Sequence, residues 1–319
     1  MKSLVVTTGD EPFIMNTWLP SLRTRGNYSG DVLIVDYEAN QNFIPSGNNN
    51  LDGIKNLESF SDASIKRLQR EKNVIYHRVK NKYNCLASDR INAFNTALNT
   101  LNLREQYDVL LFTDGNDIHF LKPIQPLLDA SKNCLSVAAE HTPINDGGRV
   151  FAPILTRYPA ETTKFLFDKP LINAGVIAGS PPTIKRVFSE VLHDLDAYTS
   201  DFGSEQIALT LHCYKHGFRD IGAEYNCHPL VAPDGKFVFF YEALFGDILY
   251  YFPITYRIKD LALIRAMYIS NDFKLADTAI LHLHSSQLYQ IKQDGAVTGC
   301  FMDVSEPVII KSEWTINRR

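Results

Sequence analysis

Two short runs of β-forming residues, 3–8 (Ser-Leu-Val-Val-Thr-Thr) and 31–36 (Asp-Val-Leu-Ile-Val-Asp), flank a stretch that reads as a helix. Pro12 suits the first turn of that helix and Gly26 its stop. Strand, helix and strand at this spacing make a βαβ unit, which commits both strands to lie parallel in one sheet. A third strand is expected over 73–79. A helix follows over 86–101, where Leu86, Ile91, Phe94, Ala97, Leu98 and Leu101 form one apolar stripe and Asp89 and Arg90 sit in the opening turn. A fourth strand covers 108–113. The alternation predicts an α/β protein with a mainly parallel sheet.

Beyond the fourth strand the spacing predicts a short helix over 123–128, a strand over 134–140, a turn at Asp146-Gly147-Gly148 and a short helix over 160–168. A small-residue strand follows over 172–179. The clearest helical period is at 181–198, with Ile184, Val187, Phe188, Val191, Leu192 and Leu195 on one face. Another helix is expected over 204–216, and a strand over 279–283 that leads into His282 and His284. Residues 40–52 read as a polar loop, and the aromatic stretch 237–256 fits no period. With no repeat and no linker in view, one continuous domain is expected, less regular in its last third.

Composition removes whole classes of function. The 319 residues are 45% hydrophobic and 11% aromatic, which supports a packed core and excludes global disorder. A net charge of −4 gives no basic footprint for nucleic acid. The five cysteines are widely separated and form no Cys-x-x-Cys pair, as in a reducing compartment. There is neither a signal-peptide pattern nor an apolar run of membrane-spanning length. A cytoplasmic protein is expected, with contact at the inner face of a membrane left open by the aromatic stretch.

The chemistry concentrates at Asp108-Val-Leu-Leu-Phe-Thr-Asp114-Gly115-Asn116-Asp117. A buried strand stops at an acidic, glycine-containing turn, and the carboxyl ends of strands are where open α/β sheets bind ligands. Gly115 permits a sharp turn that lets Asp114 and Asp117 converge. Two convergent carboxylates suit a hard divalent cation, which in turn suits a diphosphate. Read locally, the same residues are equally a hairpin turn with solvated acids.

These pieces together resemble the nucleotide-sugar-dependent glycosyltransferases of the GT-A fold, and among them the glycogenin-like and collagen-glycosyltransferase-like members. The resemblance runs over about residues 3–290. It implies a Rossmann-like, mixed and mainly parallel sheet flanked by helices. Residues 1–120 would be the nucleotide-binding half, 121–290 the sugar and acceptor half, and 291–319 an extension packed on the same domain. Asp114-Gly-Asn-Asp117 resembles the family's Asp-x-x-Asp form, and Asn116 is the alternate, neutral ligand. The family's late histidine is matched by His282, with His284 as alternate. Two carboxylates and an imidazole then imply Mn²⁺, with Mg²⁺ as competitor.

The resemblance also places the nucleotide over Thr7, Thr8, Gly9, Asp36 and Tyr37, with Asp36 accepting from the base and Tyr37 stacking on it. Arg90 would contact the diphosphate or sugar. Asn173-Ala-Gly175 resembles the segment that lines the sugar pocket, where small residues admit close approach. Asp201-Phe-Gly-Ser-Glu205-Gln206 resembles the helix start that faces the transferred sugar, so Asp201, Glu205 and Gln206 are the catalytic candidates. A capping box at the same place is an independent account of those residues.

The implied activity is sugar transfer from a nucleoside-diphosphate sugar, UDP by the family's habit, to a glycan, lipid-linked or protein acceptor. Retention of configuration is the family expectation. A sugar-nucleotide pyrophosphorylase is the rival enzyme, but the acidic Gly9-Asp10-Glu11 stands where such enzymes carry a basic glycine-rich loop. A non-catalytic binding module is the rival of another class, and it predicts loss of the metal set.

Overall fold

The computed structural model describes residues 1–9, 11–38, 60–143, 151–226 and 279–282. It also describes five short strands, β9 (Phe237–Phe239), β10 (Ile248–Tyr250), β11 (Thr255–Ile258), β12 (Met267–Ile269) and β14 (Ile316–Asn317), which pair among themselves. His284, the whole 40–52 loop, the Asp146-Gly147-Gly148 turn and most of residues 237–256 and 291–319 lie outside the described residues.

The main sheet has seven strands: β1 (Ser3–Thr8), β2 (Asp31–Tyr37), β3 (Val74–Val79), β4 (Val109–Asp114), β6 (Ser136–Pro143), β7 (Pro170–Gly179) and β8 (Arg219–Asp220). Their order is β3-β2-β1-β4-β7-β6-β8. The first four run parallel, as the βαβ reading requires. Direction reverses at β7, which pairs antiparallel with both β4 and β6. The sheet is therefore mixed and mostly parallel, as expected. A second, two-stranded ribbon joins β5 (Ile118–Phe120) to β13 (Ile280–His282), with His282 opposite Ile118.

Strand alternation feeds two separate cores. Leu4, Val6, Leu33, Val35, Leu110 and Phe112 point to one face. There they meet α4 (Leu86–Thr100), α8 (Pro181–Ala197) and α9 (Ser204–His216). Val5, Val32, Ile34, Val109 and Leu111 point to the other face, against Ile14, Trp18 and Leu22. These last three come from one helical stretch made of α1 (Glu11–Phe13), a wider turn over Ile14–Trp18 and α2 (Leu19–Thr24). Pro20 has no N–H for the next regular bond, and Leu19 donates instead to the carbonyl of Ile14, which widens the turn. A sheet buried on both faces explains why its strands read as near-continuous apolar runs. Each fully buried Leu, Ile or Phe contributes roughly 1.5–3 kcal/mol, so the carboxyl edge of the sheet is a rigid platform.

The smaller helices are α3 (Asp62–Leu68), α5 (Gln125–Ala130), α6 (Phe151–Leu155), α7 (Ala160–Leu166) and α10 (Gly222–Tyr225). Ser61 caps α3 by accepting from the amide of Ser64. Among the described residues no helix is long and apolar enough to cross a membrane. Cys134 and Cys213 are free thiols.

Candidate active site

The end of β1 and the acidic turn after β4 are packed into each other through two glycines. Gly115 donates its amide to Thr8 O at 3.0 Å. A Cβ on Gly115 would lie 2.7 Å from that carbonyl, and one on Gly9 would lie 2.6 Å from the Gly115 carbonyl carbon. Asn116 is turned towards Gly9, where a Cβ would collide with its Oδ1. Thr7 Oγ1 donates to Thr113 O at 2.9 Å, and Trp18 Nε1 donates to Thr113 Oγ1 at 2.9 Å. The turn is thus fixed from behind, and its two carboxylates face forward.

Asp114 and Asp117 there meet His282. Its Nε2 lies 3.7 Å from Asp114 Oδ2 and 3.6 Å from Asp117 Oδ1. The three ligand atoms all fall within 4.8 Å of one another. The β5–β13 pairing makes this meeting possible, because it seats His282 beside the residue that follows Asp117. Asp117 is buried, and its Oδ1 has no hydrogen-bond partner among the described residues. An orphaned buried carboxylate oxygen beside a second carboxylate and an imidazole fits a divalent cation. Burial raises the Asp117 pKa, against lowering by His282. Burial alone would lower the His282 pKa, but Asp117 and Asp114 more than offset it.

The tautomer of His282 follows from a chain of hydrogen bonds. Gly175 N donates to Asn173 Oδ1 at 3.0 Å, which fixes the orientation of the Asn173 amide. Asn226 Nδ2 donates to the same oxygen at 2.9 Å, so Asn226 turns its Oδ1 to His282 Nδ1, 2.8 Å away. An amide oxygen only accepts, so Nδ1 carries a proton, and Nε2 is the nitrogen turned to the two aspartates, where a cation would take the place of its proton. At the far end Asn173 Nδ2 donates to Glu140 Oε1 at 3.0 Å, and Gln206 Nε2 donates to that oxygen at 3.2 Å. Gly175 is pressed against the imidazole: a Cβ there would lie 2.6 Å from His282 Nδ1 and closer still to Cε1.

Arg90 joins this group to the start of α9. Its guanidinium pairs with Asp114 and reaches Glu205 Oε1 at 3.5 Å. Burial disfavours the Arg90 charge, but Asp114 and Glu205 more than restore it and raise its pKa. Glu205 is buried, and Ser88 Oγ lies 3.4 Å from its Oε2. Burial raises the Glu205 pKa, against lowering by Arg90. Asp201 stands apart, exposed and paired with Arg157 at 2.6 Å. The expected capping box does not form, since Gly203 occupies the cap in a left-handed conformation (φ 86°) with no side-chain cap.

The first-half residues divide. Thr8 is buried, directly across the sheet from Asp114, and its Oγ1 has no partner among the described residues. Asp36 is occupied within the fold by Tyr76 Oη, Arg78 Nε at 3.0 Å and the amides of Tyr37 and Phe60. Tyr37 is in the core, where burial first and Asp89 second hold its pKa well above the usual phenol value.

Glu140, Asn226 and Ser88 are site residues that the sequence reading passed over. Glu140 carried a usable signal, an acid closing the apolar strand 134–140, the same criterion that picked out Asp114. Asn226 carried none. Burial raises the Glu140 carboxyl from 4.5 to about 7, against lowering by Asn173, Gln206 and His282. An acid with a raised pKa stabilises the fold while protonated, and that contribution is lost as pH climbs from 4.5 through 7. The full effect is about 3 kcal/mol. In Glu140→Gln, which keeps an accepting oxygen and cannot ionise, the stability gained over wild type is therefore expected to be larger at pH 8 than at pH 5 by up to this amount. Urea unfolding of both proteins at the two pH values measures it, and an identical difference at both would refute it.

No family model matches the chain, and no curated protein matches it. Several solved structures are similar at a distance. One is an active-site mutant of LgtC, with a TM-score of 0.44 and 13% identity over 71% of this chain and 75% of that one. The bifunctional glycosyltransferase WbbM has a TM-score of 0.44 and 14% identity, over 72% of this chain and 40% of that one. Mouse xyloside xylosyltransferase 1 has a TM-score of 0.43 and 14% identity, over 71% of this chain and 87% of that one.

Proposed function

We propose that this chain is a metal-dependent glycosyltransferase that moves a hexose from a nucleoside-diphosphate sugar, UDP-linked, to an acceptor hydroxyl, with retention of configuration. The observation that carries this reading is the convergence of Asp114, Asp117 and His282 around an orphaned carboxylate oxygen at the carboxyl edge of the sheet. Asp114, Asp117 and His282 Nε2 would hold Mn²⁺ or Mg²⁺. When bound, such an ion neutralises the charge that gathers on a leaving diphosphate.

The remaining roles belong to the chain itself. Arg90 keeps its charge in a buried setting, orients Asp114 and adds a positive field on the leaving-group side. Thr8 offers a hydroxyl with no other partner to the nucleotide. Gln206, Asn173 and Glu140 form an amide–carboxyl wall on the far side of His282, suited to sugar hydroxyls and to a developing oxocarbenium centre. Glu205 is a positioning residue, because its carboxylate is committed to Arg90 and Ser88. With retention, the departing phosphate takes the acceptor proton and no enzyme base is required.

The test is incubation with UDP- and GDP-sugars plus Mn²⁺, following release of nucleoside diphosphate, including slow hydrolysis without acceptor. Metal-dependent release with at least one donor is expected. No turnover with any donor, together with an unchanged melting temperature on adding nucleotide and metal, would sink the proposal.

A further inference from the structure

A second cluster of ligating side chains lies at the other end of α9, remote in sequence and role from the acidic turn. His212 and His216 are one helical turn apart and so share a face. Glu190 reaches them from α8. Its Oε2 lies 2.7 Å from His212 Nδ1 and 3.1 Å from His216 Nε2. The two rings are 4.7 Å apart between centroids. The three ligand atoms lie within 4.8 Å of one another.

We propose that Glu190, His212 and His216 form a Zn²⁺ site that clamps α8 to α9. Zinc bonded at about 2.0–2.2 Å in a tetrahedron holds its donors roughly 3.3 Å apart. To admit it, the Glu190–His212 contact at 2.7 Å would open by about 0.6 Å and the Glu190–His216 contact at 3.1 Å by about 0.2 Å. Two imidazoles and one carboxylate favour Zn²⁺ over Mg²⁺ or Ca²⁺, which take oxygen ligands. Among the described residues no group hydrogen-bonds His212 Nε2, so none of them holds the tautomer on that edge against a ligand at Nδ1.

Access is open on one side. His212 is enclosed, whereas Glu190 and His216 are 41% and 36% exposed in their side chains. The fourth coordination place therefore faces solvent. The charges nearby are Arg186, which disfavours a cation, and Asp194, which favours one but is engaged with His193. Among the described residues Arg186 makes no ion pair with Glu190. The first turn of α9 carries Glu205 and Gln206, so an ion at its last turn would stiffen the helix that presents them.

The test uses the full-length chain stripped of metal and carrying Asp117→Asn, which disables the acidic-turn cluster. Co²⁺ is titrated as the spectroscopic stand-in, and Zn²⁺ is then added. One saturating equivalent is expected, with the intense visible bands of tetrahedral Co²⁺ that Zn²⁺ abolishes, and Zn²⁺ raises the melting temperature. His216→Ala and Glu190→Gln, both at part-exposed positions that should not unfold the protein, are each expected to weaken Co²⁺ binding by roughly tenfold or more. Absence of saturable binding, or unchanged binding in both variants, would overturn the site.

Discussion

Asp117→Ala is expected to abolish metal-dependent nucleotide binding while leaving the protein folded. The carboxylate has one oxygen that is buried and unpartnered, so in the absence of metal it contributes little to stability. Burial raises its pKa, which means the fold bears a cost to keep it charged. Removing it relieves that cost and leaves a small gap. The ligand set falls from two carboxylates and an imidazole to the His282 imidazole and one carboxylate, Asp114, already shared with Arg90. A loss of roughly 100-fold or more in Mn²⁺ affinity follows, since even outer-shell partners are worth 10–100-fold. Calorimetry with a nucleoside diphosphate, with and without Mn²⁺, measures the loss, and circular dichroism checks the fold. A variant that binds within a few-fold of wild type would show that the acids have the wrong frame.

Gly175→Ala tests the histidine from the other side. The added methyl group would occupy the space of the His282 ring, 2.6 Å from Nδ1 and 2.9 Å from Nε2. The ring cannot yield cheaply, being held by Asn226 and carried on a strand paired with β5. Either the ring leaves the aspartates or β7 shifts, and overpacking of this kind costs about 1–3 kcal/mol. Metal affinity is expected to fall with stability. Gly179 lies on the same strand, with nearest neighbours at 3.3, 3.4 and 3.5 Å, so Gly179→Ala is a matched control with a small effect. In a His282→Ala background the stability cost of Gly175→Ala should largely vanish, because the group it strikes is gone. An undiminished cost there would place the strain in the backbone.

Much of the framework was readable from residue order. Helix 204–216 and strand 109–114 stand at or within a residue of their expected limits, because a uniform period or an unbroken apolar run marks burial directly. The parallel β1–β2 pair followed from the βαβ spacing. The failures were of another kind. Asp201 has the residue type of a catalytic acid, yet it pairs with Arg157 at the surface. Asp36 closes its strand as Asp114 does, yet Tyr76 and Arg78 consume its oxygens. In each case a partner far away in sequence decided the outcome.

The sequence by itself determined which segments are strands and helices, and that two carboxylates three residues apart, Asp114 and Asp117, share one glycine turn. Tertiary structure alone decided that Asp117 faces the histidine while Asn116 turns to Gly9. It alone ran Glu140, Asn173 and Asn226 in a line that sets the His282 proton on Nδ1. The physical reason is that periodicity records how each element buries its own side chains. Convergence depends instead on strand order, the reversal at β7 and the β5–β13 register, which no single segment encodes.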